Sequence, residues 1–244
     1  MNVVVLGGTG AVGRAVVRRL VSDDRLGSIT AVVRRQLNGD EMEKMWETSS
    51  TEKLKQVVVP DLGVMLEEEL PAELATGLKN QQAFISCLGL YTAKATETEM
   101  RRFEVEITSA AAREAKDGGA TIGGYLSGQG VRPPSEKHFL KGPMFARVKG
   151  EAEDSLAEIF PRFCAARPGF ISNREGSTPI WERIMNRDGA LSFLGSRLGI
   201  DAADVASGLV QGTLFEAEQK HSRLVLEMAE LKEAAKRYKE SRSG

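Results

Sequence analysis

Three glycines near the start of the chain constrain its fold more than any other feature. Gly7, Gly10 and Gly13 follow the apolar run Val3–Leu6 and precede a stretch in which apolar residues recur at every fourth position. A short β-branched run predicts a buried strand, and a four-residue apolar repeat predicts one face of a helix. The glycines therefore lie in a predicted strand-to-helix turn.

Each glycine of this turn has a physical role in binding a dinucleotide. The first lets the chain turn out of the strand, the second lets the backbone approach a diphosphate, and the third lets the helix pack closely on the sheet. Unpaired N–H groups and the helix dipole favour an anion at the helix N-terminus. The spacing Gly-x-x-Gly-x-x-Gly differs from the dehydrogenase fingerprint, and a glycine turn without a ligand is the alternative. The residues predicted to form the cradle are Gly7, Thr9, Gly10, Ala11, Val12 and Gly13.

Two arginines after the second predicted strand indicate which cofactor is bound. The strand is predicted at 28–33, and Arg34 and Arg35 follow it. An acidic residue at this strand end would bind the ribose 2′-hydroxyl of NAD, whereas arginine accommodates the 2′-phosphate of NADP. Guanidinium groups are also fork-shaped phosphate donors. The pair therefore predicts NADP(H), with two solvated arginines as the alternative.

The net charge and the two cysteines limit the ligands and the cellular compartments that we expect for this chain. A net charge of -1 over 244 residues gives no basis for binding nucleic acid or an anionic membrane. Cys87 and Cys164 lie in apolar runs and are predicted to be buried free thiols, which suits a reducing compartment. The sequence shows no metal-ligand spacing, no apolar run near the ~20 residues that span a bilayer, and no visible targeting segment. We therefore expect a cytoplasmic or mitochondrial protein.

Predicted strands and helices alternate through the first two thirds of the chain. This alternation predicts an α/β fold, a doubly wound parallel sheet (Rossmann fold) with a small C-terminal substrate lobe. Residues 1–244 are expected to form a single NAD(P)-binding Rossmann domain, to which 170–244 contribute that lobe. After residue 35, the predicted strands are 56–59, 82–87, 121–127, 162–166 and 224–226, and the predicted helices are 62–79 with a break at Pro71, 95–116, 143–159, 178–186, 202–217 and 227–238.

Several short motifs in this order resemble a known family. They are Gly7-x-x-Gly10-x-x-Gly13, Arg34-Arg35, Asp61-Leu62, Ser86-Cys87-Leu88-Gly89, Leu126-Ser127, Val148-Lys149-Gly150-Glu151 and Ala166-Arg167-Pro168-Gly169. Over most of its length the chain resembles the atypical short-chain dehydrogenase/reductases. Within them it is most similar to the Tat-interacting-protein-like group of small NADPH-binding proteins.

The resemblance implies roles for individual residues in cofactor binding. Asp61 and Leu62 would lie near the adenine, and Leu88 and Gly89 would line the cofactor path. Lys149 would hydrogen-bond the nicotinamide ribose. The residues implied to border the nicotinamide are Pro168, Gly169 and Phe170. The alternatives are that Asp61 caps a turn, that Lys149 is a surface lysine, and that Gly89 ends a strand.

The sequence departs from the family at Phe145. The resembled dehydrogenases use a Tyr-x-x-x-Lys pair on one helix face, with a serine at the end of the preceding strand. Their tyrosine passes a proton to or from the substrate oxygen, and the lysine charge lowers its pKa. Here Ser127 and Lys149 stand at the catalytic positions, but Phe145 replaces the tyrosine and has no exchangeable proton. Tyr125 and His138 are alternative proton donors, because one shares a strand with Ser127 and the other titrates near neutral pH.

These observations predict an NADP(H)-binding, short-chain-dehydrogenase-like protein whose missing tyrosine argues against turnover. By family it is an oxidoreductase, and its nucleotide cofactor is its expected ligand. The alternative is a non-catalytic NADPH-binding structural subunit or redox-responsive regulator within a larger, possibly mitochondrial, assembly. A loop at 132–142, longer than in the relatives, and a charged C-terminal helix favour a surface for a protein partner.

Overall fold

Seven parallel strands form the main sheet in the part of the chain that the structure describes. The structure is a computed structural model, and it describes residues 1–90, 95–135, 143–173, 199–216 and 222–242. The strands are β1 (Val3–Leu6), β2 (Ile29–Val33), β3 (Leu54–Val58), β4 (Ala83–Ser86), β5 (Ile122–Leu126), β6 (Arg162–Ala166), β7 (Phe170–Ser172), β8 (Gly199–Asp201) and β9 (Ser222–Leu226). The sheet has the order β3-β2-β1-β4-β5-β6-β9, and β7 pairs separately with β8.

Helices cover both faces of this sheet. They are α1 (Ala11–Val21), α2 (Gly39–Trp46), α3 (Ala72–Leu78), α4 (Glu97–Arg101), α5 (Thr108–Asp117), α6 (Met144–Ile159), α7 (Ala202–Gln211) and α8 (Met228–Glu240). Alternate residues of β1 point to opposite faces, as strand geometry requires. Val3 and Val5 pack in the core with α1, α2, α7 and α8, whereas Val4 and Leu6 pack with α3, α5 and α6. The predicted Rossmann-type fold is therefore confirmed.

The strand order fixes the position of a ligand crevice. The order changes direction at β1, which pairs with β2 on one side and with β4 on the other. In open parallel sheets, ligands bind outside the carboxyl ends of the strands at such a switch point. Leu6 lies opposite Val32 and Ser86, so the glycine turn and Leu88-Gly89 begin at neighbouring points of the same edge.

Most predicted elements form within a few residues of their expected bounds, and the exceptions have physical causes. The helix predicted at 62–79 is broken at Pro71 as expected, and its first part is a 3₁₀ turn, Leu62–Leu66, whereas its second part is α3. The predicted helix 95–116 contains a π-helical segment, Arg102–Ile107, between α4 and α5. The β7–β8 ladder was not predicted, because three-residue strands carry too little alternation. The predicted helix 178–186 lies outside the described residues.

The C-terminal strand and the two cysteines behave as predicted. The strand predicted at 224–226 forms as β9 and pairs with β6 at the sheet edge. Cys87 and Cys164 are free and buried. Burial raises the pKa of each thiol to about 12. Thiolate is therefore scarce at neutral pH, so neither cysteine is a reactive nucleophile.

Candidate functional site

The backbone of the glycine turn is packed too closely for larger residues. Gly7 has a φ of 80°, and a Cβ atom placed on it would lie 2.7 Å from the backbone nitrogen of Leu88. A Cβ atom on Gly13 would lie only 2.0 Å from the carbonyl oxygen of Gly7. Gly10 donates its N–H to that same oxygen at 3.0 Å and forms the N-cap of α1. The roles predicted for Gly7 and Gly13 therefore have a steric basis in the fold.

The mouth of this turn has the chemistry of an anion site. Gly10, the N-cap of α1, has no side chain that could cap the helix, and the first turn of α1 carries no acidic residue. Thr9, Gly10 and Ala11 are partly or fully exposed, whereas Val12 is buried. A Cβ at Gly7 or Gly13 would push the turn out of its close packing, and the turn presents helix N–H groups, so its residues fit a diphosphate.

A buried tryptophan forms a hydrogen bond to the backbone of the glycine turn. The indole nitrogen of Trp46 donates to the carbonyl oxygen of Gly8 at 2.9 Å. Trp46 lies at the end of α2 and is 1% exposed. Sequence reasoning missed this contact, although a tryptophan in a short, mostly polar helix was a signal that the helix packs on something specific.

The two arginines after β2 differ in their surroundings. Arg34 is exposed and makes no ion pair with the part of the chain that the structure describes. Arg35 instead binds both carboxylate oxygens of Glu41, at 3.0 and 2.6 Å. The hydrogen bonds from Arg35 lower the pKa of Glu41 to about 2. The acidic partner of Arg35 was not anticipated, and it leaves Arg34 as the arginine available to a phosphate.

Asp61, Leu88 and Gly89 follow the carboxyl ends of β3 and β4. Asp61 follows β3 and accepts the N–H of Gly63 at 2.8 Å, so it caps the 3₁₀ turn that begins at Leu62. Leu88 and Gly89 follow β4, and Gly89 is exposed. We name the glycine turn, Arg34 and these residues the nucleotide end of the crevice.

Lys149 lies buried in a cluster of hydrogen bonds. Its ammonium is 2.9 Å from Glu104 Oε2, 3.1 Å from the Tyr125 hydroxyl oxygen and 3.0 Å from the Leu126 carbonyl oxygen. Tyr125 in turn donates to Glu104 Oε2 at 2.6 Å. Burial and the Glu104 carboxylate raise the pKa of Tyr125 well above its ordinary range. Tyr125 is therefore a neutral, fully buried donor to Glu104.

Ser127 is also engaged by a buried carboxylate. Its hydroxyl donates to Glu153 Oε1 on α6. Arg167 binds both oxygens of Glu153, at 3.0 and 2.7 Å, and Arg223 adds a bond at 2.7 Å. Burial alone would lower the pKa of Arg167, but the hydrogen bonds to Glu153 and the charge of this carboxylate raise it. Because a carboxylate only accepts, the Ser127 proton points into this ion network.

Phe145 lies between these two clusters and borders a small pocket. A Cβ atom on Gly128 would lie 2.7 Å from Phe145 Cζ, so the ring rests directly on this glycine. The Phe145 ring centroid is 5.7 Å from the Lys149 ammonium. The pocket has a volume of about 280 Å³ and is lined by Ser127, Gly128, Gln129, Phe145, Pro168, Gly169 and Ile171. We name Ser127, Phe145, Lys149 and this pocket the reaction end of the crevice.

The fold thus brings the predicted site residues to one edge of the sheet. Phe170 is half-buried and begins β7 beside the pocket-lining Pro168 and Gly169. His138 lies outside the described residues. Glu104 and Glu153 were missed, although Glu153 continues on α6 the four-residue spacing of Phe145 and Lys149. Across the described residues, no three His, Cys, Asp or Glu side chains group as a metal site, and no helix could span a bilayer.

Sequence comparison finds distant relatives along most of the chain. It is 27% identical over 216 residues to Protein FMP52, mitochondrial, of Candida albicans, covering 84% of this chain and 84% of that protein. It is 26% identical over 180 residues to Protein HTATIP2 of Rattus norvegicus, covering 73% of this chain and 66% of that protein. No protein-family model matches.

Solved structures share the fold at low sequence identity. MoeE5 in complex with UDP-glucose and NAD superposes with a TM-score of 0.65 at 16% identity, covering 93% of this chain and 76% of that chain. A short-chain dehydrogenase/reductase from Serratia marcescens superposes with a TM-score of 0.59 at 13% identity, covering 93% of this chain and 96% of that chain. At such identities the likeness establishes the fold.

Proposed function

We propose that this chain, an atypical short-chain dehydrogenase/reductase of the group that includes the Tat-interacting-protein-like proteins, binds NADP(H) without appreciable turnover. The observation that carries the proposal is the contrast within the crevice. The nucleotide end has the shape and the donors for a dinucleotide, whereas each proton-bearing group predicted at the reaction end already has a partner inside the protein.

The residues of the nucleotide end supply the binding. The glycine turn and the N-terminus of α1 would hold the diphosphate. Arg34 would bind the 2′-phosphate, and Asp61 with Leu62 would lie by the adenine. Leu88 and Gly89 would line the path to the nicotinamide, which Pro168, Gly169 and Phe170 would border. NADPH, when bound, supplies a hydride.

The residues of the reaction end do not supply the matching proton. Carbonyl reduction needs a donor to the forming alkoxide, and such help is worth roughly 10²–10⁴-fold in rate. Phe145 has no such proton, the Ser127 hydroxyl donates to Glu153, and the Lys149 ammonium is satisfied by the protein. These contacts favour a protein that binds the cofactor for a purpose other than catalysis.

Such a purpose is a structural or redox-responsive role in a larger assembly. The FMP52 relative is named mitochondrial, so we propose the mitochondrion as the first compartment to examine. If NADP(H) binding controls assembly, the native size of the protein in a mitochondrial extract should change when NADPH is added. An unchanged size would argue against the regulatory form of this role.

A titration of the purified protein with NADPH and with NADH tests the cofactor proposal. We expect binding that prefers NADPH. A charge-assisted hydrogen bond is worth about 1.5–3 kcal/mol, so Arg34→Ala should weaken NADPH by about tenfold or more and leave NADH nearly unchanged. Arg35→Ala is the matched control, and its smaller effect follows from the pairing of Arg35 with Glu41.

Turnover is measured on the same protein with a panel of aldehydes, ketones and quinones. We expect no NADPH oxidation above background. Failure to bind either cofactor, or equal weakening of both by Arg34→Ala, would overturn the binding proposal. Turnover near the ~1 s⁻¹ at the low end of ordinary enzymes would instead overturn the claim that the site is catalytically silent.

A further inference from the structure

The ammonium of Lys149 has no hydrogen-bond donor left for the crevice. A lysine ammonium carries three N–H donors and accepts none. Glu104 Oε2, the Tyr125 hydroxyl and the Leu126 carbonyl each lie within 3.1 Å of it. The side chain of Lys149 is 7% exposed. All three donors are therefore directed at partners that belong to the protein.

The charge of Lys149 is matched by the nearest of these partners. The side chain of Glu104 is 0% exposed and pairs with Lys149 Nζ at 2.9 Å. The ring of Phe145 is twice as far from the ammonium, at 5.7 Å from its centroid. A group at position 145 would therefore experience less than the full charge of Lys149, because the opposite charge of Glu104 lies 2.9 Å from the ammonium and offsets part of its field.

Glu104 is buried in an unusual helical segment. Glu104 lies in the π-helical segment Arg102–Ile107, where backbone hydrogen bonds join residues that are about five apart instead of the four of an α-helix. Such segments are rare and frequently mark functional positions. Tyr125 fixes the carboxylate further by donating to Oε2 at 2.6 Å. The same oxygen thus receives both the tyrosine and the lysine.

The second oxygen of Glu104 faces the nucleotide end. Oε1 is buried and finds no partner among the described residues. A Cβ atom on the exposed Gly89 would lie 3.2 Å from it. Glu104 therefore binds Lys149 of the reaction end through Oε2, and its Oε1 lies beside Gly89 of the nucleotide end. Gly89 has no side chain to separate this oxygen from the crevice.

We propose that Glu104 is a positioning residue that holds Lys149 inside the protein and offsets its charge at the reaction end, so that Phe145 is one of two barriers to proton transfer. The inference rests on the proposed function, which locates the reaction end. It predicts that restoring a phenol at position 145 does not restore an activated proton donor. Removing the Glu104 charge as well should do so.

The test is the titration of an introduced phenol, made without cofactor. Phe145→Tyr adds a single hydroxyl at a half-buried position, and its phenolate absorbance is obtained by subtracting the spectrum of the native protein. We expect this phenol to titrate in the ordinary range of tyrosine. In Phe145→Tyr with Glu104→Gln, the lysine charge that is no longer offset should lower its pKa by about one to two units.

Two variants separate charge from structure. Glu106 lies on the same π-helical segment but is exposed, so Phe145→Tyr with Glu106→Gln removes a nearby carboxylate that does not contact Lys149. It should leave the phenol as in Phe145→Tyr. Phe145→Tyr with Glu104→Asp retains the carboxylate and should return the phenol pKa towards that of Phe145→Tyr. A merely structural role for Glu104 would not give this pattern.

The outcomes decide the proposal without reference to catalysis. A phenol pKa already lowered in Phe145→Tyr alone would overturn it, as would equal effects of Glu104→Gln and Glu106→Gln. Glu104→Gln leaves a buried charge unpaired and can prevent folding. In that case the phenol of Phe145→Tyr, with Glu104 intact, still gives the deciding value. Failure of the proposed function would show separately, as absent NADPH binding in the native protein.

Discussion

The two ends of the crevice are built from different parts of the chain. At the nucleotide end, the shape is set by backbone, through glycines whose missing side chains leave room for close approach. At the reaction end, the chemistry would depend on side chains, and those of Ser127 and Lys149 are bound to Glu153 and Glu104. The nucleotide end is accessible to a ligand, whereas the polar side chains of the reaction end form their hydrogen bonds within the protein.

This difference shows how binding and chemistry can separate on one fold. A backbone cradle is lost only when the packing of the turn changes, which also endangers the sheet beneath it. A side-chain constellation is lost by one substitution, such as phenylalanine for tyrosine, or by one new carboxylate that takes up a donor. A Rossmann-type sheet can therefore retain a nucleotide site after its reaction has gone, because function belongs to the site and not to the fold.

Glu153→Gln should have the largest effect on the free energy of unfolding. It tests whether the ion network at the reaction end stabilises the fold. Two arginines and the Ser127 hydroxyl share this carboxylate, which is 0% exposed. Breaking a buried ion pair by removing one partner typically costs about 3–5 kcal/mol of unfolding free energy. Chemical denaturation should show this loss, while the folded fraction still binds NADPH with nearly native affinity.

Glu158→Gln is the control for that substitution, because Glu158 is exposed on the same helix. It should change the unfolding free energy little. A similar small loss in both variants would mean that the network around Ser127 does not stabilise the fold, and the contrast between the two ends would disappear.

Gly13→Ala should produce the opposite pattern of effects. A Cβ at this position would lie 2.0 Å from the Gly7 carbonyl oxygen, so the turn must open. Overpacking of this kind costs about 1–3 kcal/mol, and we expect NADPH affinity to fall by about tenfold or more. Gly39→Ala, where a Cβ meets nothing within 4 Å, should leave binding unchanged. Native affinity in Gly13→Ala, measured by titration, would contradict the backbone origin of the site.

The sequence allowed the nucleotide end to be predicted because its signals are local. The turn follows from residues within a short stretch, and strand and helix patterns on each side place it at a sheet edge. Arg34 and Arg35 were predicted together, yet only their neighbours in space distinguish them. Glu41 lies six residues after Arg35, in a helix whose capping box already uses its side chain.

The sequence predicted which residues lie at the reaction end, but it did not predict which partners their side chains bind. Ser127 and Phe145 line one pocket, and the Lys149 ammonium lies 5.7 Å from the centroid of the Phe145 ring. What engages them comes from far along the chain, because Glu104 is 45 residues from Lys149 and Glu153 is 26 from Ser127. No periodicity reveals such a pair, since each of these helical segments carries several charged residues and the sequence does not show which of them is buried.

The smallest effect concerns Glu41, and it refines the comparison within the nucleotide end itself. Glu41 binds Arg35 through an exposed ion pair, and exposed pairs of this kind are weak because solvent screens them. Glu41→Gln should release Arg35 towards the 2′-phosphate and strengthen NADPH binding by roughly two- to fivefold, with NADH unchanged. The pKa of Glu41 is lowered to about 2, so it stays ionised as the pH falls from neutral until it approaches that value. The gain should therefore be constant across the neutral range, and Asp40→Gln on the same exposed turn should give none. A gain that titrates near neutral pH, or one that NADH shares, would show that Glu41 acts on the cofactor by a route other than Arg35.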